Sequence, residues 1–265
     1  MAEAALRSPV RFRGGGFLPR TSRAAAILAF VAILLVWQAA VSFGWVSPVF
    51  LPSPVEVGRA LYALAVSGEL WRHLSVSLVR IALGWSLGSV AGLAVGTAMA
   101  LFGLARSVGL PMVSALFPIP KIALLPLLIL WLGIGETSKV TTIALGVFFP
   151  SVIAAYSGID SVPRNLIRMA QSFDVPFREI VRKVALPGAL PSILAGMRIS
   201  ASIALLLLVS AEMIGAERGI GAFVLQAGNL MQTDQLMAGV TVLSILGLTV
   251  GTILSRTEKA LLAWR

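Results

Sequence analysis

Cysteine is absent from the 265 residues, and histidine occurs once, at His73. Disulfides and thiolate metal sites are therefore excluded, and a single imidazole cannot build a histidine-based cluster. Charge is scarce as well: 12% of residues are charged, against about a quarter in soluble domains. Acidic residues number 11 against 21 basic ones, a formal charge of +10. No segment reads G-x-x-x-x-G-K-[ST], which excludes P-loop nucleotide binding by this chain, and no paired carboxylates, nucleophile elbow or metal constellation is found. The basic residues do not form a face rich in aromatics, so nucleic acid is not an expected partner.

Apolar side chains make up 58% of the sequence, in long runs separated by basic clusters. That pattern belongs to an all-α membrane protein of one compact bundle, with lipid as its surroundings. Six spans are expected. The first is 24–43, uncharged and long enough to cross a hydrocarbon core of about 30 Å. A basic segment precedes it, but the run is too long for a cleaved signal, and Trp37 and Trp45 suit interfacial anchors. The second, 81–105, carries Gly84, Gly88, Gly92 and Gly96 at four-residue spacing, a stripe that lets another helix approach closely. The third, 111–135, contains Pro118, Pro120 and Pro126 and should be interrupted or bent. The fourth is 140–159, the fifth runs from after Pro191 to about Ala216, and the sixth is 235–255.

Six spans put both termini on one side. Basic residues concentrate in 1–24, at Arg106, in the 160–190 loop and in the tail, which predicts that both termini and that loop are cytoplasmic. The organisation expected is a basic cytoplasmic segment 1–23, a transmembrane domain 24–255 and a cytoplasmic tail 256–265. Segments 50–72 and 217–233 read as short interfacial or re-entrant pieces on the other side.

The loop has its own pattern. From Pro163, apolar Leu166, Ile167, Ala170, Phe173, Phe177, Ile180, Val181 and Val184 recur at helical spacing, predicting two short amphipathic helices joined at 174–176, with Asp174 as an N-cap. Such a segment either lies flat on the membrane or fits a groove of a soluble partner, for which Arg168, Gln171, Arg178 and Glu179 are exposed handles.

Charges within spans are costly in hydrocarbon and usually face a bundle interior or an aqueous path. Lys121 sits among prolines, and either attracts an anionic solute or snorkels to the interface. Arg198 has the same two readings, lining or snorkelling. Glu212, near the end of the fifth span, either caps backbone donors of 217–221 or contributes to a gate. His73 and Arg80 share a helical face, as a surface anchor or as ligands.

The loop resembles the coupling loop of the membrane subunits of bacterial ABC importers, E-A-A, three residues, G, then a run ending L-P-x-x-L-P. Leu186-Pro187-Gly188-Ala189-Leu190-Pro191 matches the last part. The family's glutamate then falls on Arg168, its alanines on Met169 and Ala170, and its glycine on Asp174, so only Ala170 fits. Further pieces, 51–57, His73 with Ser77 and Arg80, 118–136, 211–221 and 258–265, resemble the nitrate, sulfonate, taurine and bicarbonate branch. The resemblance implies a type I ABC importer-like bundle in the cell inner membrane, working as a homodimer. Its implied partners are two cytoplasmic ATPase subunits, which hold ATP and Mg, and an extracytoplasmic solute-binding protein. It implies docking of the ATPase on the loop 160–191, no cofactor and no enzymatic activity on this chain, and transport of a sulfonate, taurine, nitrate or bicarbonate. The alternatives are a secondary transporter, or an importer of a non-anionic solute.

Overall fold

The computed structural model describes residues 11–12, 15–16 and 23–263. The chain divides into two units, residues 1–55 and 56–265. Most of the basic segment 1–23, and the end of the tail, lie outside the described residues.

In the first unit, Arg11–Phe12 (β1) and Gly15–Gly16 (β2) form a two-residue antiparallel ladder. Helix α1, Arg23–Ser42, is apolar all round, with Ile27, Phe30, Ile33 and Leu35 exposed. A helix apolar on every side belongs in lipid.

The second unit contains α2 from Glu56 onward (the helix is Pro54–Val66), then α3 (Glu69–Leu101), α4 (Gly103–Leu116), α5 (Leu125–Leu132), α6 (Glu136–Asp160), α7 (Arg164–Ser172), α8 (Phe177–Ile180), α9 (Leu186–Gly215), α10 (Ile220–Asn229) and α11 (Thr233–Leu261). Among the described residues, five helices are long and apolar enough to cross a membrane, or six segments if the bent pair Gly103–Leu116 and Lys121–Leu132 counts as one span.

The core is α6 packed between α3 and α9. Ile81, Ile143, Val147, Ala204 and Leu208 meet at its centre. The glycine stripe makes the α3–α6 seam: a Cβ at Gly84, Gly88, Gly92 or Gly96 would stand 2.6 to 2.9 Å from the Cβ of Ile143, Val147, Ser151 or Ala155 respectively. Helices in lipid gain little from hydrophobicity toward one another, so this close backbone approach supplies packing and dispersion instead.

Several boundaries differ from the sequence reading. The second span begins at Glu69, twelve residues before the expected start, because the charge of Arg80 is matched inside the bundle. It ends at Leu101, where Phe102 is extended (φ −120°, ψ 122°) and breaks the chain into α4. The third span is broken as expected, its two arms meeting at 86°. The fourth, Glu136–Asp160, carries Pro150 inside. The fifth starts far earlier than Pro191: α8 runs through a π-helical turn, Val181–Ala185, into α9, giving one apolar helix Phe177–Gly215. The second short loop helix is thus the first turn of a span, with Pro176 rather than Asp174 as its N-cap. Asp174 instead follows α7 in the left-handed region, φ 53°. That is the conformation glycine adopts freely at a helix end, and Asp is among the few other residues that tolerate it.

Candidate functional site

Two places carry the polar chemistry, at opposite ends of the core. One end is fixed by Ile159, Ala185 and Ala189 packing with Ala100 and Leu101, which brings together the close of α3, the close of α6 and the start of α9. Helix α7 hangs from this end, packed only lightly on α8 and the π turn. None of its residues is buried. Leu166, Met169, Phe173 and Phe177 are exposed, Phe173 to 76%. Arg168, Gln171, Asp174 and Arg178 are exposed among them, Ala170 is half-buried, and Glu179 faces Lys183 at 2.7 Å one turn on. Large apolar side chains interleaved with cations at the polar end of a bundle form a surface suited to a protein partner. Arg198 ion-pairs with Glu258 toward the same end, tying α9 to the close of α11. Arg106 reaches Asp160 at 3.3 Å and lies over the Tyr156 ring.

Lys121 lies at the bend. Its ammonium donates to the carbonyls of Leu116 (2.7 Å), Phe117 (3.2 Å) and Ile119 (2.8 Å), and stands 4.4 Å over the Phe149 ring. These carbonyls have lost helical partners where α4 stops, and a lysine at a helix C-terminus satisfies them. In this conformation all three ammonium hydrogens are turned to backbone, not to a path.

The other end holds a buried ionic node. Arg80, 2% exposed on α3, forks onto Glu136 at the start of α6, with Nε to Oε2 and Nη2 to Oε1 both at 2.6 Å. Its Nη1 donates to Glu212 Oε1 at 2.9 Å and to the Arg218 carbonyl at 2.6 Å. Glu212, 1% exposed on α9, also accepts from Ser77 Oγ at 2.7 Å and from Gly221 N at 2.8 Å. Ser77 Oγ in turn accepts from Ile220 N at 2.9 Å, and His73 Nδ1 lies 3.1 Å from Gly219 N. Three helices and the turn before α10 are thus held by one arginine, whose planar fork suits a carboxylate. Gly219 makes the turn possible: its φ is 133°, and the Glu212 carboxylate occupies the space a side chain would need. The N-terminus of α10 so receives a carboxylate, which matches the positive end of its dipole.

Arg80 with two carboxylates leaves one negative charge, which Lys139, one turn beyond Glu136, offsets. Lys139 is 5% exposed, and its ammonium donates to Gly135 O at 3.0 Å. Beside the node lies an open cavity of about 650 Å³, lined by Arg80, Glu136, Lys139, Glu217 and Arg218 together with Ser75 and apolar neighbours.

The structure joins His73, Ser77, Arg80 and Glu212 in one network and leaves Lys121 and Arg198 outside it. Glu136 and Lys139 were not singled out from sequence. The i, i+4, i+7 spacing of His73, Ser77 and Arg80 was the available signal, since it places three polar groups on one helical face that needs a polar counterpart.

Residues 87–262 match the family of binding-protein-dependent transport system inner membrane components. The protein of Bacillus subtilis (strain 168) named as an aliphatic sulfonates transport permease, SsuC, is 36% identical over 267 residues, covering 100% of this chain and 93% of the relative. The taurine transport system permease protein TauC of Escherichia coli (strain K12) is 37% identical, over 90% of this chain and 89% of its own. Among solved structures, an inward-facing conformation of the MetNI methionine ABC transporter superposes with a TM-score of 0.62 at 24% identity, covering 72% of this chain and 95% of that chain.

Proposed function

As the chain belongs to the family of binding-protein-dependent transport system inner membrane components, a membrane subunit of an ABC importer, we propose that it forms the path for a small oxyanionic solute of the sulfonate and taurine type. Two relatives named for sulfonate and taurine transport, each matched along most of its length, support that solute class; nitrate and bicarbonate are the next solutes to try.

The observation that carries the coupling role is the exposed α7 surface at one end of the core, with Leu166, Met169 and Phe173 bare and Arg168, Gln171, Asp174, Arg178 and Glu179 around Ala170. In this proposal the segment 160–191 docks on a cytoplasmic ATPase subunit, two of which serve a dimer of this chain. ATP binding, with Mg, on those subunits draws the two α7 segments together, and the bundle changes which side is open. The solute arrives from an extracytoplasmic binding protein at the opposite end, where the ionic node and the cavity lie. Hydrolysis belongs to the partner, so this chain acts as a permease.

Orientation follows from charge. Arg106, Arg164, Arg168, Arg178, Arg182, Lys183 and the tail residues Arg256 and Lys259 gather at the α7 end, which supports a cytoplasmic α7 end, and in this proposal both termini are cytoplasmic too. The domain order is then a cytoplasmic segment 1–23, a membrane domain 24–255 and a cytoplasmic tail 256–265. Within the membrane domain the glycine stripe serves packing, and Lys121, Arg198 and Glu212 are the pathway or gate candidates.

ATPase activity of the chain reconstituted with its partner ATPase and binding protein tests the proposal, with taurine, ethanesulfonate, nitrate and bicarbonate added in turn. Stimulation by taurine or ethanesulfonate that needs the binding protein and is lost when 165–181 is scrambled is the expected result. Hydrolysis indifferent to the chain would overturn it.

A further inference from the structure

The geometry points to a phospholipid site on this chain: a cleft between α3 and α11 takes an acyl chain, and Arg256 with Lys259 holds the anionic head group. The site is independent of which solute is carried. Helix α9 packs against both α3 and α11 and leaves a cleft of about 240 Å³ between them. Leu78, Ala82 and Trp85 form one wall, Val250 and Ile253 the other, and buried Ala201 of α9 lies beneath. The one polar side-chain atom among the lining residues, Trp85 Nε1, donates to Ser200 Oγ at 3.0 Å. An apolar cleft open to the bilayer takes hydrocarbon, because an empty one forfeits dispersion contacts along its walls. Ile253 also borders a second groove, of about 290 Å³, that follows α11 past Leu248 and Thr252 to Arg256. Thr249 and Thr252 donate to carbonyls of their own helix, Ile245 at 2.8 Å and Leu248 at 2.7 Å, so the threonines leave this groove no free donor before the arginine.

Charge selects the head group. Arg256 and Lys259 are both exposed, lie one turn apart on α11, and have no ion-pair partner among the described residues. Glu258 between them is taken by Arg198. The other described acids at this end are Asp160, paired with Arg106, Glu179, paired with Lys183, and Asp174 beyond α7. A second copy seated on the cleft would therefore bring only Asp174 to the two cations, and α1 contains no acid to bring. A lipid phosphate lies where an apolar span meets its basic flank, and each Lys or Arg there strengthens the binding of anionic lipid by about fivefold. The bound lipid ties α11, which meets the bundle chiefly through α9 and α10, to α3 as well.

Photolabelling of the full chain, assembled with its ATPase in phosphatidylcholine nanodiscs, tests the site with a trace of phosphatidylglycerol carrying a diazirine in its acyl chain. The expected result is adducts on α3 and α11 at the cleft that unlabelled phosphatidylglycerol displaces and glycerol phosphate does not. Phosphatidylcholine bearing the same diazirine labels the cleft several-fold less. Arg256→Gln and Lys259→Gln, both exposed changes, each lower the labelling by about fivefold, whereas Arg164→Gln, an exposed cation on α7, leaves it unchanged. Ala82→Phe, at an exposed position of the cleft wall, lowers it with both cations in place. The site is overturned by an absence of adducts at the cleft, by equal labelling with the two lipids, by displacement with glycerol phosphate, or by undiminished labelling in the Arg256→Gln, Lys259→Gln double variant. A disulfide joining two copies through Ala82→Cys, in a chain otherwise free of cysteine, assigns the cleft to a second copy and overturns it equally.

Discussion

Replacing Gly92 by alanine tests the α3–α6 seam. The added Cβ would lie 2.7 Å from Ser151 Cβ, with the Phe148 carbonyl oxygen nearer still. No flexible side-chain end is available to move aside, so the two helices must separate locally. Overpacking of this kind costs about 1–3 kcal/mol. Alanine also favours a helix over glycine by roughly 1 kcal/mol, which would mask part of the loss. Gly251 on α11 supplies the control, because a Cβ there meets nothing within 4 Å. The difference between Gly92→Ala and Gly251→Ala cancels the propensity gain and isolates the clash. For a chain of this size, 1–3 kcal/mol corresponds to about 2–12 °C in melting temperature. The assay is thermal unfolding of the purified protein in one detergent, followed by intrinsic tryptophan fluorescence. Gly88→Ala should behave like Gly92→Ala, and the double variant should lose less than the sum, since the first methyl already parts the seam. Equal melting of Gly92→Ala and Gly251→Ala would refute close packing as the function of the stripe.

Arg80→Met should be among the most destabilising single changes, by about 3–5 kcal/mol, because it leaves Glu212 buried without a cation; Arg80→Met with Glu212→Gln should recover part of the melting temperature. Asp174→Gly should raise stability by about 1 kcal/mol and preserve ATPase coupling, since φ 53° suits glycine, whereas Asp174→Val should lower both. Lys121→Met removes the donor from three carbonyls at the bend and should loosen it, read as faster labelling of an Ile119→Cys reporter, with unchanged labelling counting against the capping role.

The spans were legible because lipid imposes length and apolarity on a sequence, and the bend was legible because Pro118 and Pro120 remove donors locally. The glycine stripe was legible for a similar reason, since four-residue spacing alone puts Gly84 to Gly96 on one face. Less could be read where a charge is answered from afar. Arg80 looked like the edge of a span because its partners, Glu136 and Glu212, lie 56 and 132 residues away in the chain. Glu136 and Lys139 were not singled out, for the same reason. The start of the fifth span was misplaced because Pro187 and Pro191 resemble a helix boundary, yet Pro187 sits in the first turn of α9, and the helix continues through Pro191. Asp174 was read as a cap by residue type, while its place is set by how α7 ends.

Cross-linking gives the most direct test of docking at the α7 end, and the natural absence of cysteine removes any background. Phe173→Cys and Glu217→Cys, at opposite ends of the core, are each assembled with an ATPase carrying one surface cysteine beside its membrane-facing cleft, then oxidised. The account predicts a permease–ATPase cross-link through residue 173 that changes with ATP, and none through residue 217. A cross-link through 217, or none through 173 in a complex that still hydrolyses ATP, would contradict it.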